Sequence, residues 1–116
     1  MLPKLQAHFY SSRNGKEPVR EWLKGLRADE RRQIGTDIAY VQFKWPMGKP
    51  HVDHLRGRIW EVRSTLPNRI ARVLFAVTGD EMILLHGFIK QTQRTPMADI
   101  TLAETRWKEW NDAERQ

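Results

Sequence analysis

Apolar positions recur along this chain with two different periods, and the switch between them divides it into elements. Leu5 to Tyr10 is a short apolar and aromatic run, read as a first strand. Ser11-Ser12-Arg13-Asn14-Gly15-Lys16 is turn chemistry. Pro18 then suits a helix start. Val19, Trp22, Leu23 and Leu26 follow at i, i+3, i+4 and i+7, one stripe of an amphipathic helix that Gly25 and Arg27 end loosely. Asp29 is the expected N-cap of a second helix. Its apolar stripe is Ile34, Ile38, Val41 and Trp45, with Glu30, Arg31, Arg32 and Asp37 outside. Pro46, Gly48 and Pro50 stop it.

Beyond a loop from Pro50 to Arg58 the period becomes two. Ile59 to Thr65 alternates, with Trp60 and Val62 on one face and Glu61, Arg63 and Thr65 on the other. Pro67-Asn68 turns the chain into a second strand, Arg69 to Val77. Ala71, Val73, Phe75 and Val77 share one face of it, and Ile70, Arg72 and Leu74 the other. Gly79-Asp80 leads to a third strand, Met82 to Lys90, too uniformly apolar for its faces to be assigned. Thr95 is the expected N-cap and Pro96 the first residue of a last helix. Ile100, Ala103, Trp107 and Trp110 form its stripe, with fraying from Asn111 to Gln116. The expected fold is α+β in the order β-α-α-β-β-β-α, one domain spanning 1–116, with an antiparallel meander at its centre.

Composition narrows the partners. The 116 residues allow one core, and the five tryptophans sit where that core needs them. Lys and Arg number 20 against 14 Asp and Glu, a net charge of +6. That excess favours an anionic partner: RNA, DNA, an acidic protein or a membrane surface. With no cysteine, disulfides, thiolate nucleophiles and Cys-ligated zinc are excluded. The N-terminus lacks a signal-peptide apolar core. No apolar run approaches the roughly 20 residues that span a bilayer. A soluble cytoplasmic protein without a membrane partner is expected.

The candidate chemistry is basic. If the strands are hairpin neighbours, Arg63 and Arg72 lie on one sheet face. Guanidinium binds phosphate oxygens through paired donors, so the pair suits a phosphodiester. A solvated face with Glu61 pairing to one arginine is the alternative. Lys90 ends the third strand; arginines nearby would ease its deprotonation and fit it for proton transfer. His86, four residues earlier and on the same side of a strand, is either a packed core histidine or a proton-transfer group. Lys49, His54, Arg56 and Arg58 sit in the basic loop as backbone anchors, or as a solvated loop. His51, Asp53 and His54 match no standard metal spacing, and the cations around them oppose a metal. Gln91, Thr92, Gln93 and Arg94 supply donors for RNA or form a hydrophilic loop.

Ile59-Trp60-Glu61-Val62-Arg63, Arg72-Val73-Leu74-Phe75 and Leu84-Leu85-His86-Gly87-Phe88-Ile89-Lys90-Gln91-Thr92-Gln93-Arg94-Thr95-Pro96 together resemble the HigB-like, phage-derived branch of the RelE/ParE toxin superfamily. The resemblance implies a twisted, mainly antiparallel sheet with the N-terminal helical pair on one face and a C-terminal helix. It implies the toxin of a type II toxin–antitoxin system, a ribosome-dependent mRNA endonuclease working without metal or other cofactor. In such enzymes the ribose 2′-hydroxyl attacks the adjacent phosphate. The implied catalytic residues are Arg63 and Arg72 for charge stabilisation, with Lys90 or His86 for the proton. The tyrosine often found near the C-terminus of RelE-like toxins has no counterpart, since only Tyr10 and Tyr40 are present. The implied partners are the ribosome, mRNA and a helix-turn-helix antitoxin. A ParE-like gyrase inhibitor or a non-catalytic nucleic-acid-binding module are the competing functions, because fold alone does not choose among them.

Overall fold

The computed structural model describes residues 2–114. Its centre is a five-stranded sheet in the order β1-β5-β4-β3-β2. The strands are β1 (Gln6–Phe9), β2 (Val52–Arg56), β3 (Ile59–Thr65), β4 (Ile70–Thr78) and β5 (Glu81–Ile89), with helices α1 (Pro18–Lys24), α2 (Ala28–Lys44) and α3 (Met97–Glu114). Four strands form an antiparallel meander, and β1 joins the far edge parallel to β5. The expected α+β class, strand alternation and helix stripes all appear. One strand was missed: Val52–Arg56 was read as loop, so the order is β-α-α-β-β-β-β-α. The segment carries two histidines, an aspartate and an arginine, and this polarity masked its alternation. A two-residue turn at Gly57-Arg58 folds it onto β3, with Gly57 at φ +54° supplying the positive φ such hairpins need.

Each sheet face has its own core. On one side, Val62, Val73, Phe75, Met82 and Leu84 pack under α1 and α2, whose Val19, Ile34, Ile38 and Val41 are buried. On the other, Ile59, Leu74, Ala76, Ile83 and Leu85 pack under α3 through Ala103, Trp107 and Trp110. This two-sided burial explains why β5 reads as a continuous apolar run rather than a clean alternation. A register shift also intervenes: Leu74 faces His86 while Phe75 faces Leu84. The extra residue, Leu85, lets Leu85 and His86 both serve the α3 side, a bulge in the sense of two residues opposing one.

The helix ends differ from expectation in instructive ways. Arg27, not Asp29, is the N-cap of α2, and its backbone N–H donates to Glu30 Oε1 at 3.3 Å. The buried Glu30 also holds Arg69 through two bonds of 2.7 and 2.9 Å, fastening the β3–β4 turn to α2. Arg69 keeps the Glu30 carboxyl below its ordinary range. At the other helix, Pro96 O accepts the N–H groups of Asp99 and Ile100, and α3 runs on through the expected frayed segment to Glu114. Residues 115–116 of that segment lie outside the described residues. The far end of α3 is pinned by Tyr10, whose hydroxyl donates to Glu109 at 2.5 Å, and by Arg106, which donates to Leu85 O at 2.9 Å.

Two outcomes follow from this packing. A Cβ at Gly87 would meet the Trp22 ring at 2.3 Å. The ring packs against the sheet, so either it or the strand must shift, and Gly87→Ala should cost about 1–3 kcal/mol, read as a lowered urea midpoint. Burial and the bond to Glu109 push the Tyr10 phenol from 10.0 up to about 12. Its folded pKa is raised, so its contribution to stability is complete below pH 10 and is lost as the pH rises through about 12. Unfolding curves across that window should fall for the parent protein and flatten for Tyr10→Phe.

Candidate functional site

Strand register brings the two sheet arginines together. Arg63 on β3 is the direct cross-strand partner of Arg72 on β4, and both sit on the α3 side with Leu74 and Ile59. Like charges placed opposite each other across a sheet repel. They are accommodated because two carboxylates share that face. Glu61, two residues before Arg63, accepts from Arg63 Nε at 3.2 Å and lies 3.6 Å from Arg72 Nε. Asp53, across from Glu61 on β2, accepts from the far end of Arg63 at 2.9 Å. Two positive and two negative groups therefore form a closed, neutral quartet.

The quartet is layered by depth. Glu61 is 2% exposed and Arg72 7%, whereas Arg63 and Asp53 are only partly covered. Burial lowers the Arg72 pKa, opposed by the nearby Glu61 charge, and the guanidinium stays charged. Thr95 closes the arrangement from outside. Its hydroxyl donates to Glu61 Oε1 at 2.5 Å instead of capping α3. The open arginine-bearing face anticipated above is thus covered by α3 and the segment leading into it, and the alternative in which Glu61 pairs one arginine is exceeded: Glu61 serves both.

What remains open is a cleft of about 350 Å³ between the β2–β3 edge and that segment, lined by Asp53, His54, Leu55, Glu61, Arg63, Gln93, Arg94, Thr95, Met97 and Ile100. Arg63 is the quartet's cation at its wall, and Gln93 and Arg94 stand on the opposite rim. Gln93 also lines a larger groove of about 670 Å³ at the end of the sheet, shared with Lys90, Gln91, Asn68 and Ile70. Lys90 N–H donates to Ile70 O, and by strand alternation Lys90 is on the Arg72 side, two residues past Phe88, the partner of Arg72.

Of the other sequence candidates, His54, Gln93 and Arg94 border the Arg63 cleft and the rest lie apart from it. His86 lies beneath α3, its Nε2 2.6 Å from Asp99 and its ring stacked on Phe88 at 5.3 Å. It shares the sheet face of the two arginines but does not line the Arg63 cleft. Arg56 is forked onto Glu104 of α3 at 2.5 and 3.1 Å and serves to hold that helix. His54 joins Gly57 O at 2.7 Å and packs on Trp60, His51 packs on Tyr40, and Asp53 belongs to Arg63, so these three do not converge. Lys49, Arg58, Gln91, Gln93 and Arg94 are exposed. Among the described residues, Lys49, Arg58 and Arg94 have no carboxylate partner. Sequence reading overlooked Asp53, Thr95 and Asp99. Alternation had already placed Glu61 beside the arginines, and recognising β2 would have delivered Asp53 to the same face.

The family described as phage derived protein Gp49-like (DUF891) matches residues 21–108, a stretch holding the cleft, the quartet and Lys90. No curated protein matches the chain.

Removing Glu61 would leave two facing guanidiniums, one of them deeply covered. An uncompensated buried charge costs about 3–5 kcal/mol. Glu61→Ala should therefore lose about that much stability in urea unfolding, and more than Asp53→Ala, whose partner Arg63 reaches solvent. Equal losses for the two variants would place the charge compensation elsewhere.

Proposed function

Because the chain belongs to the Gp49-like family of phage-derived proteins, within the RelE/HigB-like toxin group, we propose that it is the toxin of a type II toxin–antitoxin pair, of HigB-like type, that cuts mRNA on the ribosome. The observation that carries this reading is the cleft in which Arg63 faces Gln93 and Arg94, beside the groove that holds Lys90. Gyrase binding or a purely structural role does not call for cations lining such a cleft.

The reaction proceeds by attack of a ribose 2′-oxygen on the adjacent phosphorus. The bond to the 5′-oxygen of the next nucleotide breaks, giving a 2′,3′-cyclic phosphate and a free 5′-hydroxyl. One proton leaves the 2′-hydroxyl and one reaches the departing oxygen. Negative charge grows on the non-bridging oxygens as the new bond forms. Arg63 is the guanidinium positioned to meet it, and fixed donors aimed at such charge are worth on the order of a hundredfold or more in rate. Arg72 acts behind it by holding Glu61, and through Glu61 the orientation of Arg63. Lys90 is favoured over His86 as the proton-transfer group because it lines a groove open to substrate, whereas His86 is engaged with Asp99 under α3. Gln91, Gln93 and Arg94 hold the strand on either side of the scissile linkage, with Lys49 and Arg58 available to more distant phosphates. The partners that follow are the ribosome, its mRNA and a cognate antitoxin.

The test is induced expression in bacteria with mapping of mRNA 5′ ends. Growth arrest with new 5′-hydroxyl ends in translated messages is expected, and Arg63→Ala should reduce cutting at least a hundredfold while retaining its fold. Gyrase-dependent DNA breaks with intact messages would overturn the nuclease reading in favour of a ParE-like poison.

A further inference from the structure

The sheet arginine proposed to meet the RNA phosphate is paired from within. Arg63 donates through Nε to Glu61 and through Nη2 to Asp53, so that edge of its guanidinium faces carboxylate oxygens. A carboxylate and a phosphate present the same paired acceptor geometry to guanidinium. The two carboxylates are not equivalent. Glu61 is buried, is shared with Arg72 and receives Thr95, so it cannot leave without stranding buried charge. Asp53 is 26% exposed in its side chain, stands on the edge strand β2, lines the cleft and has Arg63 as its one ion-pair partner among the described residues.

From this asymmetry we infer that Asp53 is a resident counter-ion that an RNA phosphate displaces. The inference rests on the functional reading above and specifies how that site is regulated. In the resting protein Asp53 holds Nη2 of Arg63, and a stray anion must compete with it there. A phosphate enters only when enough neighbouring contacts, from Gln93 and Arg94 on the facing rim, make the exchange favourable. Asp53 then swings outward to solvent along the exposed edge of the sheet, while Glu61 keeps Arg63 aimed. The exchange makes Arg63 selective for a strand already held on both sides of one linkage. A merely orienting Asp53 would behave in the opposite way, since its loss would let Arg63 wander and weaken binding.

The experiment measures binding of a fluorescent single-stranded oligonucleotide with 2′-O-methyl riboses, which cannot undergo the cleavage step, to the full chain over a range of salt concentrations. Asp53→Asn keeps the shape and removes the competing charge. It should bind roughly tenfold tighter than the parent. Its log–log salt dependence should steepen by about 0.7, the increment for one more phosphate contact on a single strand. Asp53→Ser serves the same purpose should the amide disturb folding, which circular dichroism and the urea midpoint will show. Unchanged or weaker binding by a folded Asp53 variant, with Arg63→Ala clearly impaired, overturns the exchange and leaves Asp53 as an orienting group. Undiminished binding by Arg63→Ala removes Arg63 from the RNA contact altogether, and the functional assignment falls with it.

Discussion

Two guanidiniums forced into direct opposition on neighbouring strands are the condition around which the α3 side of this protein is built. Arg63 and Arg72 are cross-strand partners, and one of them is almost wholly removed from water. Such a pair persists only with opposite charge between and beside it. Glu61 and Asp53 supply that charge, and the order of the β2–β3–β4 meander follows from the need to bring all four to one place. The hairpin turn at Gly57 is therefore part of the electrostatics as much as of the topology: without it Asp53 has no route to Arg63.

The same constraint shapes the cover. Arginines on the α3 side of the sheet end its apolar contact with α3 near one end of β4, and polar contacts also tie the helix across that face. Arg56 with Glu104, His86 with Asp99, Arg106 with the Leu85 carbonyl and Tyr10 with Glu109 pin it from one edge of the sheet to the other. Thr95, at its approach, bonds to Glu61. The cleft left between this approach and the β2–β3 edge is where the buried electrostatics meet solvent, through Arg63 alone of the quartet's two cations. The opposite face, under α1 and α2, carries no comparable demand and packs as an ordinary apolar core around Phe75 and Met82.

A neutral, internally satisfied site changes how its chemistry is understood. Net charge of +6 would suggest a surface that attracts any polyanion. The two sheet arginines are restrained by carboxylates, while Arg94 stands at the cleft unpaired among the described residues, and Lys49 and Arg58 are exposed elsewhere.

Much of this was readable along the chain because it depends on local periods. The stripes Val19–Trp22–Leu23–Leu26 and Ile34–Ile38–Val41 define helix faces whatever they pack against. Alternation through Trp60–Val62 and Ala71–Val73–Phe75 set Arg63 and Arg72 each opposite its own strand's more apolar face, and the hairpin pairing then brought them to one side. What escaped depends on contacts between distant segments. Val52–Arg56 became a strand because β3 offers it an edge, against its polar composition. His86 was drawn under α3 by a bulge that no periodicity announces. Thr95 left the helix end it resembled a cap for because a buried carboxylate 34 residues away bound its hydroxyl more strongly. Sequence alone determines which side of a strand a charge occupies, since backbone geometry imposes that residue by residue; which partner neutralises the charge, and how deeply, is decided by register and by what folds over it, and so belongs to the tertiary structure.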